Sequence, residues 1–157
     1  MLKHRYTKTI RKLGLFKGVK SFAEIEKQID AHFGSSKDRG DAFEVFAEAY
    51  LTLGLNSPYN KIIPENKLTK KHFDRLRITA TDINVRGIDG VLETSTKEFH
   101  TYQVKYRSSG GNLAWNDLTG AVAASINADA LLIFTNASNI DGDIAQRNGY
   151  SIKSDKL

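Results

Sequence analysis

The chain has no cysteine, which excludes disulfides and thiolate metal sites and leads to the expectation of a reducing, cytoplasmic setting. No stretch approaches the ~20 apolar residues of a membrane span, and the first residues form no apolar signal core. There is no internal repeat, no low-complexity stretch and no Pro-rich linker. Ser108-Ser109-Gly110-Gly111-Asn112 reads as a loop but lacks the G-x-x-x-x-G-K-[ST] pattern that cradles phosphates. His4, His32, His72 and His100 show no ligand spacing, and no Ser/His/Asp arrangement emerges. These absences argue against a small-molecule enzyme. Acid is missing from residues 1–20, which hold Lys3, Arg5, Lys8, Arg11, Lys12, Lys17 and Lys20.

What is present fits one domain of 157 residues, large enough for a core, with 40% apolar residues. The formal net charge is +5. A second basic group comprises Lys67, Lys70, Lys71, His72, Arg75 and Arg77. Such patches favour polyanions, partly through counterion release. Leu13, Leu15, Phe16 and Val19 either dock on the body or belong to a weakly patterned basic arm.

Helical spacing of Phe22, Ile25, Ile29 and Phe33, opened by a Ser21/Glu24 capping box, predicts a helix over 22–33 ended by Gly34. Asp41 is expected to cap a helix over 42–54, with Phe43, Phe46, Ala47, Tyr50 and Leu51 as its apolar stripe and Gly54 at its end. Pro58 and Pro64 bracket a loop or short strand around Lys61-Ile62-Ile63, and a helix follows over about 69–77. β-branched and aromatic residues predict strands over 85–93 and 99–106, split by a turn at 94–97. Asn116 or Asp117 caps a small-residue helix reaching Ile126. The apolar run 130–136 reads as a buried central strand. A helix near 141–147 and a strand at 150–152 close the chain. The expected class is α/β, a mixed central sheet with helices on both faces.

The chemistry concentrates where these strands meet. A hairpin through 93–98 brings Asp89, in Gly87-Ile88-Asp89-Gly90, beside Gln103-Val104-Lys105. Strand alternation points Gln103 and Lys105 to one face and Val104 to the other. A carboxylate, an amide oxygen and an ammonium then share one spot. Hard divalent cations take oxygen ligands and can hold a phosphate or an attacking water.

This arrangement resembles the PD-(D/E)XK nuclease superfamily, and more narrowly its Mrr-type restriction endonuclease branch, over residues 38–157. Gly40-Asp41-Ala42-Phe43-Glu44 is similar to the branch's opening helix, Gly87-Ile88-Asp89-Gly90 to its aspartate strand, and Tyr102-Gln103-Val104-Lys105-Tyr106 to its Q-x-K strand. Leu131-Leu132-Ile133-Phe134-Thr135-Asn136 is similar to its later apolar strand, with Ala145 in the following helix and Ser154-Asp155-Lys156-Leu157 at its close. The chain departs from the wider superfamily in having Gln, not a carboxylate, at 103. A second acid is then needed, and the family pattern suggests Glu44. If merely solvated, Glu44 and Glu48 would repel mildly one turn apart. Asp82 is a further acid near the aspartate strand.

The resemblance implies a restriction-endonuclease-like core at 38–157, preceded by a basic arm and helix at 1–37. It implies a Mg²⁺- (or Mn²⁺-) dependent DNA endonuclease, free-standing or part of a larger helicase-containing restriction enzyme, and allows a homodimer. Asp89, Gln103, the Val104 carbonyl and Glu44, directly or through water, would hold the metal. Lys105 would orient the attacking water or stabilise transition-state charge. Lys67, Lys70, Lys71, Arg75 and Arg107 are the expected DNA-contacting residues. No membrane partner is expected. A dimeric resolvase of branched DNA and a catalytically silent DNA-binding module remain as alternatives.

Overall fold

The computed structural model describes residues 2–53, 57–79, 87–108, 111–140 and 151–152. The basic N-terminal segment is a helix, α1 (Leu2–Leu13). Tyr6 and Ile10, one turn apart, are buried, and Leu15 follows them into the core. Gly14, at φ +65°, ends the helix in the left-handed conformation. Its N–H bonds the Arg11 carbonyl at 3.2 Å, and that of Leu15 bonds the Ile10 carbonyl at 3.0 Å. This is a Schellman termination, which glycine adopts without steric cost.

Helix α2 (Phe22–His32) starts at Ser21, whose hydroxyl accepts the Glu24 N–H. Ile25 and Ile29 supply its buried face. Helix α3 (Ser36–Leu53) begins earlier than the 42 expected from Asp41. The Ser35 hydroxyl accepts the Asp38 N–H at 3.1 Å and does the capping, so Asp41 lies within the helix. Gly40 inside the helix costs about 1 kcal/mol against alanine. Burial of Ala42, Phe43, Phe46, Ala47 and Leu51 outweighs it.

Strand β1 (Tyr59–Pro64) leads through a 3₁₀ turn (Glu65–Lys67) to α4 (Lys70–Leu76), capped by Thr69. Strands β2 (Gly90–Thr94) and β3 (Phe99–Lys105) form the expected hairpin. After it come β4 (Asn112–Leu113), a 3₁₀ turn (Trp115–Asp117), α5 (Thr119–Ala124), β5 (Ala130–Thr135), β6 (Asn139–Ile140) and β7 (Ser151–Ile152). The helix expected to run to Ile126 is thus split into a 3₁₀ turn and a short α-helix. Asp117 caps it through the Ala114 N–H at 2.9 Å. Part of the expected 108–112 loop pairs instead with β6, as strand β4. Residues 85–86 of the aspartate strand, Asp82, Gly54, the 141–147 helix and the closing stretch 154–157 lie outside the described residues.

The protein is α/β. Its five-stranded sheet has the order β1-β2-β3-β5-β7. The first three strands run antiparallel, while β3, β5 and β7 run parallel. Tyr102, Val104, Leu92, Leu132 and Phe134 face α3, where Phe43 lies 5.3 Å from both Phe134 and Tyr106. Tyr6, Ile10, Leu15, Ile25, Ile29 and Phe33 join this same cluster, so residues 1–37 share their core with the rest. On the opposite face Leu118 and Ala121 pack against Leu131 and Ile133, while Leu76 packs against Val91 and Phe99. Helices therefore cover both faces of a mixed sheet. No helix among the described residues is long and apolar enough to cross a membrane.

Gly90 pairs with Tyr102 across the hairpin. A β-carbon there would lie 2.4 Å from the Ile63 carbonyl oxygen and 2.7 Å from the Tyr102 ring and hydroxyl. Strand backbone on one side and a fully buried ring on the other leave it no room. Gly90→Ala is expected to destabilise the fold by about 1–3 kcal/mol. Urea denaturation measures this, and an unchanged midpoint would show that the hairpin yields at no cost.

Candidate active site

Strand β3 extends past the start of β2. The Asp89 N–H donates to the carbonyl of Tyr102, the residue that already pairs with Gly90, at 2.9 Å, so the regular ladder ends at this step. Beyond that step Val104 has no β2 residue beside it. Its N–H donates instead to Asp89 Oδ2 at 2.6 Å. The side chain of Asp89 thus replaces a backbone acceptor, and the charge shortens the bond. The Asp89 carbonyl also accepts the Glu65 N–H at 2.8 Å, tying this point to the end of β1.

Gln103 lies on β3 between Tyr102, whose carbonyl accepts the Asp89 N–H, and Val104, whose N–H binds the Asp89 carboxylate. Gln103 is 4% exposed. Its Oε1 is buried and has no hydrogen-bond partner among the described residues. Gly87, at φ +70°, closes the other side: a β-carbon there would lie 2.8 Å from Gln103 Nε2. A buried acceptor without a donor costs about 1–3 kcal/mol and needs a physical reason.

Lys105 ends β3, half-buried, paired in register with Thr135. Its charge acts on Asp117. Burial alone would raise the Asp117 pKa, but the Ala114 N–H, the Arg107 guanidinium and Lys105 outweigh it and hold the carboxyl below its ordinary value. Arg107 lies 3.0 Å from Asp117 and also donates to the carbonyls of Asn112 and Tyr106. Asn136 bonds both backbone groups of Arg107. The Arg107 guanidinium, expected on DNA, is therefore engaged by the loop itself.

Glu44 approaches from α3, on the Tyr102 side of the sheet. Tyr102 is fully buried. Its hydroxyl donates to Glu48 at 3.3 Å. Burial, followed by the charges of Glu48, Asp89 and Glu44, pushes its pKa far above the ordinary tyrosine value. Asp89 and the two α3 carboxylates thus converge on one hydroxyl, while Gln103 and Lys105 point to the other face. Among the described residues no group of three or more His, Cys, Asp or Glu is placed to hold a metal ion.

Of the expected DNA contacts, Lys67, Lys70 and Lys71 are exposed. Lys70 pairs with Asp74 at 2.7 Å. Arg75 stacks over Phe99 at 4.5 Å and pairs with Asp129 at 3.4 Å, which gives it a packing role at this place. Sequence reasoning missed Glu48, Tyr102, Gly90 and the ion-pair role of Asp117. Alternation along β3 could have placed Tyr102 on the α3 face. Nothing local marks Asp117 as the partner of Arg107.

Comparison with family models, with curated proteins and with solved structures finds no match to this chain.

The lowered Asp117 pKa carries a pH signature. A carboxylate with a depressed folded-state pKa stabilises fully above its unfolded value and loses that contribution as pH falls through the folded one. Wild type should therefore melt above Asp117→Asn at neutral pH, with the gap closing below about pH 4. A gap that stays constant on acidification would remove the Asp117–Arg107 pair from the stability of this loop.

Proposed function

We propose that the junction of β2 and β3 is the divalent-cation site of a DNA endonuclease with a restriction-endonuclease-like core. The observation that carries this reading is Gln103 Oε1, buried without a hydrogen-bond partner among the described residues and next on β3 to Val104, whose N–H holds the Asp89 carboxylate. A buried amide oxygen with no donor among the described residues, one residue along the strand from a fixed carboxylate, suits a cation that binds oxygen. One carboxylate and one amide fit Mg²⁺, which keeps several waters and shares substrate phosphates. When bound, such an ion would polarise a phosphate and lower the pKa of a coordinated water.

The protein's own contribution is positional. Val104 N–H fixes one Asp89 oxygen. Burial between Gly87 and the sheet fixes the Gln103 amide. Lys105, on the same face as Gln103, offers a positive charge to a phosphate that becomes more negative in the transition state. Glu44 and Glu48, gathered at Tyr102, add negative potential from the α3 side. The carboxyl ends of the parallel strands β3 and β5 meet beside this point, a common location for sites in α/β sheets.

A plasmid-cleavage assay tests the reading. Wild type should cut with Mg²⁺ or Mn²⁺ and stop in excess EDTA. Asp89→Asn keeps the shape and a hydrogen-bond acceptor but removes the charge, so cleavage should fall by at least about two orders of magnitude. DNA binding should persist. Cleavage in EDTA, or full activity in Asp89→Asn, would exclude this site. Binding without cleavage under every metal would leave a silent DNA-binding module.

A further inference from the structure

Helix α1 divides its surface cleanly. At 3.6 residues per turn, Lys8 and Lys12 stand one above the other, roughly opposite Tyr6 and Ile10, with Arg11 beside them. Tyr6 and Ile10 are buried in the main core, where Tyr6 meets the Phe33 ring edge-on at 5.3 Å. Tyr6 also donates its hydroxyl to Asp38. Lys8, Arg11 and Lys12 are exposed, as are Lys17 and Lys20 in the segment that follows. None of these five makes an ion pair with another described residue. The first acid in the sequence is Glu24. Arg11 and Lys12 gain from the dipole at the helix end. Lys8, Lys17 and Lys20 gain nothing of the kind.

The fold also narrows what can cover this face. A membrane-surface helix buries its apolar side in lipid. In α1 that side is already spent on Phe33 and the core. A protein partner needs aromatic or apolar anchors. Of the large hydrophobic residues whose side chains are described in α1 and the segment following it, only Leu13 is exposed. A rigid row of cations without apolar anchors is complementary to a regular polyanion. Duplex DNA presents one charge per about 1.7 Å of its axis.

We propose that the outer face of α1, continued by Lys17 and Lys20, binds the phosphate backbone of duplex DNA without reading its sequence. It does so as a docked element of the fold, not as a flexible arm. The choice of DNA over other polyanions rests on the nuclease reading above.

Deleting residues 1–20 would remove Tyr6, Ile10 and Leu15 from the core and confound binding with unfolding. The test therefore changes charge alone in the full chain: Lys8→Gln, Arg11→Gln and Lys12→Gln together. A control triple, Lys27→Gln, Lys37→Gln and Lys97→Gln, makes the same net-charge change at other exposed positions. Binding of a labelled duplex is followed by fluorescence anisotropy in EDTA across about 50–200 mM salt. Losing three phosphate contacts should lower the slope of log affinity against log salt by up to about 2.7. The control should change it little, and the urea midpoint should not move. An unchanged slope, an equal effect from the control, or wild-type binding to phosphatidylserine vesicles but not to the duplex would overturn the proposal. A slope that falls as expected in a protein that cuts with no metal would leave this face standing and remove the nuclease reading.

Discussion

The bond from the Val104 N–H to the Asp89 carboxylate closes a gap that strand geometry creates. Strand β3 must run beyond β2 to pair with β5 as far as Lys105 and Thr135. Its free edge would otherwise leave a half-buried donor beside the core, and Asp89 supplies the acceptor. That one bond fixes where the carboxylate stands, and therefore which residues share its field. Tyr102, Glu44 and Glu48 share that field, and Gln103 lies between Tyr102 and Val104 on β3. The bond that fixes Asp89 in the fold also sets the position from which it would act in the proposed site.

Glycine and aromatic packing make that placement possible. Gly90 lets the β1 carbonyl and the Tyr102 ring close in from either side, and Gly87 lets the Gln103 amide lie against the turn. Phe43 and Phe134, with Tyr106, hold α3 against the sheet. Helix α1 is part of the same assembly: its apolar side is core, and its charge is turned outward.

Much of this was legible in the chain, because the informative patterns were local. Period-two alternation marked β3, the apolar run marked β5, and the turn between Thr94 and Lys97 marked the hairpin of β2 and β3. The capping box at Ser21 marked one helix start. What stayed hidden depended on contacts between distant residues. Helix α1 scatters Leu2, Tyr6, Ile10 and Leu13 among its cations, so its buried stripe emerges only against the rest of the core. Ser35 out-competed Asp41 as the cap because the α3 core begins at Ala42 and needs a preceding turn to be anchored. Glu48 looked like a source of repulsion beside Glu44, until Tyr102 donated to it from the sheet. The capture of Arg107 by Asp117 joins two loops, and no spacing rule announces it.

Direct measurement of cation binding bears most closely on the central claim that Asp89 and Gln103 form a divalent site. Electron paramagnetic resonance of free Mn²⁺, titrated against wild type and Asp89→Asn without DNA, counts bound ions without relying on cleavage. The account expects at least one Mn²⁺ bound by wild type, displaced by Mg²⁺, and weakened at least about tenfold in Asp89→Asn. Equal binding by the two proteins, or none by either, would contradict it.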